Sequence, residues 1–210
     1  MKRIIRAGAM LTVIAGLSAC AAAEQALELY DRATEFNRIE DLNDSLGASS
    51  AAQVAALSGT AIYTGQTGFG GTIDDTNNVV ISAPMTLTAN FDALTVNGEI
   101  TDMMVSELTD KEIADLKAGK ARISTILRSG KEGTGTIELA GRIGGETITA
   151  AISGSVTANG NTFTVSGDVA GTFRGARAQG VALDETDSFE VTRNGTALDR
   201  SIFQAELEAE

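Results

Sequence analysis

The sequence predicts a mainly β fold: a small, soluble, antiparallel β-barrel of about eight strands, preceded by an N-terminal helical segment. Three observations carry this expectation. Apolar and polar residues alternate at period two from Ser58 almost to the C-terminus. Turn-forming residues separate the alternating runs. Before Leu57 the apolar residues recur instead at three- and four-residue spacing, the mark of a helix with one greasy face.

The first element is an export signal. Lys2, Arg3 and Arg6 give a positive start, Ala7 to Leu17 is a short apolar run, and Leu17-Ser18-Ala19-Cys20 closes it with small residues. The run is shorter than the roughly 20 residues a membrane-spanning helix needs. Leu-Ser-Ala-Cys resembles the lipobox of bacterial lipoproteins. That resemblance implies cleavage before Cys20, acylation of its thiol, and attachment to a membrane through the lipid. Ala21, where an Asp would imply retention at the inner membrane, points to the outer membrane. The expected division is therefore a signal peptide over 1–19, a lipidated helical segment over 20–57 and a barrel domain over 58–210.

Cleavage would leave 191 residues with 13 basic against 28 acidic side chains, a net charge of −15 (three of the 16 basic residues precede Cys20). An acidic surface repels nucleic-acid backbones, which need basic patches, so no nucleic-acid partner is expected. Cys20 is the only cysteine, which excludes an internal disulfide and any cysteine-based metal site.

The helix is expected over about Ala22 to Leu42. Ala26, Leu29, Tyr30, Ala33 and Phe36 make its apolar stripe, and Ile39 and Leu42 continue it. Asn43-Asp44-Ser45 offers a break, and Ala51 to Leu57 a second short helix. The stripe serves either as a docking surface for a partner or as the face by which the helix lies on the following domain, the second being favoured.

The strands follow. Met85, Leu87, Ala89 and Phe91 alternate with polar residues, as do Leu94, Val96, Gly98 and Ile100. So do Ile137 to Ile143, Ile148 to Val156, and the long run from Phe163 to Phe173. Successive side chains of a strand point to opposite faces, so each run has one apolar face. Asp92-Ala93 and Asn159-Gly160 are placed as hairpin turns. Asp110 to Leu116 reads as a helical turn or two. Gly68-Phe69-Gly70-Gly71 and Gly133-Thr134-Gly135 read as turns, with Phe69 a candidate partner anchor if it stands at a loop tip. Glycines inside the strands suit the sharp bends that close a barrel. An outer-membrane barrel would carry its apolar face outward with aromatic girdles. Aromatics are only 4% of this chain and the alternate positions are Thr, Ser, Asn, Asp and Glu, so the apolar face belongs inside.

Several segments resemble the barrel domains of transferrin-binding protein B and its relatives, over about residues 58 to 205. Gly59-Thr60-Ala61-Ile62-Tyr63-Thr64-Gly65 is similar to their opening strand, and Met85 to Ile100 to their next hairpin. Gly171-Thr172-Phe173-Arg174-Gly175-Ala176-Arg177-Ala178-Gln179-Gly180-Val181 is similar to their Gly-x-Phe-aromatic-Gly-Pro segment. Arg174, Ala176 and Gln179 stand where the family has an aromatic, a Pro and a Glu. The resemblance implies the fold. It does not imply transferrin binding, which in that family belongs to variable loops and a companion lobe.

Chemistry-bearing residues are few. Without histidine there is no His-based triad or proton shuttle. Haem ligation would fall to Tyr30, Tyr63 or a methionine. Asp74-Asp75 with Asn77-Asn78, and Asp184-Glu185 with Asp187, offer oxygen ligands for calcium but lack EF-hand spacing, and read as solvated loops. The chain is therefore expected to have no catalytic residues, metal or cofactor. It is expected to be an outer-membrane lipoprotein anchored at Cys20, acting as a binding or interaction module for a protein partner or a solute. A structural envelope-assembly role and a lipocalin-like carrier of a small apolar ligand are the alternatives.

Overall fold

The computed structural model describes residues 11–118, 120 and 130–210. Residues 1–10 of the expected signal lie outside them. Helix α1 (Leu11–Leu46) leads to a short α2 (Ala51–Ala55), and the strands begin with β1 (Thr60–Thr72) and β2 (Asn77–Asn90). After β3 (Thr95–Ile100) and β4 (Met104–Thr109) comes α3 (Asp110–Lys117). Then follow β5 (Lys131–Glu132), β6 (Thr134–Gly144), β7 (Thr147–Ala158) and β8 (Asn161–Arg174). The chain finishes with β9 (Gly180–Glu185), β10 (Glu190–Arg193), β11 (Thr196–Ala197) and β12 (Asp199–Ala209).

The sheet closes on itself. Its order runs β1-β12-β9-β8-β7-β6-β3-β2, and β2 pairs back onto β1 from Thr60↔Asn90 to Thr72↔Asn78, giving an eight-stranded antiparallel barrel. Three staves of that barrel are interrupted. β3 and β4 share one side of β2, β5 and β6 continue one another, and β9 and β10 share one side of β8. A strongly coiled wall must bend, and it bends at these breaks. Gly133 sits in the β5–β6 break, where a Cβ would come within 2.3 Å of a Val156 methyl. Gly133-Thr134-Gly135 is thus a kink inside a stave, not a turn.

Gly68-Phe69-Gly70-Gly71 is likewise not a turn but the last third of β1. A Cβ on Gly70 would fall 2.0 Å from the Val79 carbonyl oxygen, so glycine there permits close approach of β2 at the rim. Phe69 is no loop-tip anchor. It is 1% exposed inside the barrel, its ring stacked on Phe203 at 6.4 Å.

The inward residues form one continuous core. Phe91, Phe163, Phe173, Phe189 and Phe203 meet Ile81, Leu87, Val165, Val191 and Leu207 within it. Leu94, expected to point inward, instead occupies the β2–β3 turn with φ 54° and is half exposed. Asn159 and Gly160, with φ 50° and 74°, form the expected two-residue hairpin between β7 and β8. Asn194-Gly195 makes a second such turn between β10 and β11, with φ 51° and 80°.

The residues joining α1 to β1 close one end of the barrel. α1 ends one turn later than the Asn43-Asp44-Ser45 break, at Gly47, whose φ of 65° and N–H to the Asn43 carbonyl make a left-handed cap. Ala48 then bridges Arg174, and Ser49 donates from its N–H to the Phe173 carbonyl and from its hydroxyl to that of Gly175. Ser50 and Gln53 form a reciprocal capping box that starts α2, and this places Val54 in the barrel core. Tyr63 locks the same end from within. Its hydroxyl donates to the Ala178 carbonyl at 2.8 Å, and burial pushes its pKa up to about 12.

Candidate binding surface

Helix α1 lies against the outside of the barrel. Leu29, Ala33, Phe36 and Ile39 of the expected stripe turn toward the wall or the groove beside it, whereas Tyr30 is 39% exposed and lies off the stripe. Ala26 has no described side chain. The far end of the stripe is polar: Asn43, 1% exposed, donates its amide to Glu206 Oε2 at 2.6 Å and to the carbonyls of Val181 and Leu207. Gly180 makes this possible, since a Cβ there would sit 1.8 Å from Asn43 Oδ1. Arg38 adds ion pairs to Glu35 and Glu208. Arg32 reaches the middle of β2, donating to the Ser82 carbonyl at 2.7 Å and pairing with Glu28.

The wall under the helix is polar, as period two requires of the outer face. Gln66, Gly68, Ser82 and Gln204 all alternate with core residues, yet α1 partly covers the first three, while Gln204 stays exposed at the groove's edge. Covering leaves orphans. Asn43 Oδ1, Gln66 Oε1, Ser82 Oγ, Ser106 Oγ and Arg174 Nε are buried without a hydrogen-bond partner. Four of them lie on α1 or on the strands it packs against, whereas Ser106 lies on β4 beside Gly130. A buried polar atom without a partner costs about 1–3 kcal/mol. The helix therefore docks less favourably than its apolar contacts alone would give.

Between α1, α3 and the wall runs a groove of about 180 Å³. Leu29, Val80, Leu108, Ile113 and Ile202 give it apolar sides, and Gly68 leaves its floor open. Thr109 and Glu112 fix α3 beside it: the Glu112 carboxylate accepts from the Thr109 N–H at 2.9 Å, and the Glu112 N–H donates to Thr109 Oγ1. Sequence reasoning missed this groove because nothing in the sequence shows that α1 and α3 lie over the outward faces of β1, β2, β4 and β12. The available signals were Gly68 and the apolar Val80, Leu108 and Ile202, all at outward positions of their strands.

The other candidates have plainer settings. Cys20 falls within α1, and its side chain lies outside the described residues. No helix among the described residues is long and apolar enough to cross a membrane. Asp74 Oδ1 accepts from Thr76 and Asn77, backbone and side chain alike, which lowers its pKa to about 2 and ties the β1–β2 turn. Glu185 accepts from the Phe203 N–H at 2.9 Å. Asp184 stands instead on the outer face near Glu206, whose pKa burial raises. Among the described residues no three acidic, cysteine or histidine side chains gather as a metal site. Tyr30 and Tyr63, the tyrosines weighed for haem, lie apart, on the helix surface and in the core.

No protein-family model matches this chain, and no curated protein matches it.

Proposed function

We propose that this chain is an outer-membrane lipoprotein in which a barrel resembling that of transferrin-binding protein B serves as a non-enzymatic binding module, tethered through lipid on Cys20. The observation that carries the reading is α1 itself. Its C-terminal half is fastened to the barrel wall by Leu29, Ile39 and Asn43, and the same helix continues back through Cys20. Leu29 lies nine helical steps beyond Cys20, about 14 Å at 1.5 Å per residue. An acyl group on Cys20 would hold the module close to the bilayer, and two or more chains anchor a protein stably.

The filled interior supports binding on the outer surface over carriage of a solute inside. Phe163 and Phe173 occupy the space a carrier would leave hollow, with Phe91 at the end of the core. The poverty of catalytic side chains supports a non-enzymatic role. The test is metabolic labelling with radioactive palmitate, with membrane fractionation and protease shaving of intact cells. Labelled wild type in the outer-membrane fraction and unlabelled, released Cys20→Ser is the expected result. Equal membrane retention of Cys20→Ser, or an absence of label on the wild type, contradicts the reading.

A further inference from the structure

We propose that the groove between α1 and the outer barrel wall binds a neutral amphiphile, a short aliphatic chain or ring bearing one hydroxyl or amide N–H. This deepens the binding-module reading by naming where and what the module binds.

Size, lining and unmet hydrogen bonds converge. A cavity of about 150 Å³ lined by Leu, Ile and Phe takes up benzene, so 180 Å³ with Leu29, Val80, Leu108 and Ile113 around it suits a ring or a chain of comparable bulk. Ile202, 49% exposed, also lines the groove and marks its open side. The polar requirement is specific. Gln66 Oε1 needs a donor and Ser82 Oγ lacks a partner; both residues line this groove, and a side-chain rotation would present either oxygen to it. One hydroxyl or N–H on an otherwise apolar occupant would answer that need.

Charge selects the neutral form. Arg32 is the one cation among the lining residues, and it is already committed to the Ser82 carbonyl and to Glu28. Glu40 adds a carboxylate to the same lining. A fatty acid or phosphate would therefore meet no free positive charge and one negative one, whereas an alcohol meets no electrostatic opposition.

Gly68 supplies the decisive variant. A Cβ built there meets nothing within 4 Å, and its backbone conformation is one any residue adopts. Gly68→Leu should fill the groove without disturbing the barrel. The full chain with Cys20→Ser would be titrated with N-phenyl-1-naphthylamine, a neutral three-ring probe with one N–H, whose fluorescence rises in apolar surroundings. Expected are saturable binding at one site, displacement by 1-octanol at least tenfold better than by octanoate, and at least tenfold weaker probe binding in Gly68→Leu at an unchanged melting midpoint. Ala33→Phe, which fills the groove from the helix side, serves if Gly68→Leu does not fold. Absence of saturable binding, or undiminished binding in the filled variant, overturns the site. Octanoate competing as well as octanol overturns the neutral headgroup. Failed palmitate labelling at Cys20 would remove the anchor and leave this groove standing; a failed titration would do the reverse.

Discussion

Phe203 stands between Phe69 and Phe189, with ring centroids 6.4 and 5.7 Å away, and is fully buried. Truncating a buried phenylalanine removes both transfer energy and neighbours, typically about 3–5 kcal/mol. Phe203→Ala should therefore lose that much in urea unfolding; a loss below about 1 kcal/mol would mean the interior is not packed around it. Glu206 makes a second residue-scale prediction. Burial raises its pKa, the larger influence, while the Asn43 amide and the Arg174 charge lower it. A carboxyl raised in the folded state holds its proton more tightly there than when unfolded. The folded state then loses stability as pH rises from the ordinary carboxylate value through the raised one. Glu206→Gln keeps an acceptor for Asn43 and cannot ionise, so it should match the wild type in acid and exceed it at pH 7. A variant less stable than the wild type at pH 7 would show the charge to be favourable.

At the scale of elements, the helix stripe was legible in its apolar part and not in its polar part. Leu29, Ala33, Phe36 and Ile39 announce themselves by spacing, and the structure turns them to the wall and its groove. Asn43 does not, because a buried amide reads as a loop residue until its three acceptors are seen. The same blindness placed the helix end at Asn43, when Gly47 supplies the left-handed cap. Gly180 ties the two elements together by leaving room for the Asn43 amide. Gly180→Ala should destabilise docking by about 1–3 kcal/mol, the usual cost of overpacking a tight site. Hydrogen exchange should quicken over residues 36–43 and stay slow over β7 and β8. Unchanged exchange in the helix would show that Asn43 does not hold it.

For the whole molecule, period two was enough to give the barrel, because every run from Met85 to Phe173 needs a common interior for its apolar face. It could not give the interrupted staves. A break such as Thr186 to Phe189 looks in sequence like a loop between strands, and only pairing shows β9 and β10 lying along the same neighbour. It also could not show that polar outward residues on β1, β2 and β12 lie beneath a helix, since coverage is a tertiary fact. That face carries the proposed groove, while the interior is filled by its own side chains.

The barrel interior is occupied by its own side chains, and the proposed working surface lies outside it. Methyl-resolved NMR of the Cys20→Ser chain, titrated with N-phenyl-1-naphthylamine, tests this most directly. Shifts concentrated at Leu29, Val80, Leu108, Ile113 and Ile202 are the predicted result. Shifts concentrated at Ile152, Val165, Val169 and Val191 would place the ligand inside the barrel and contradict it.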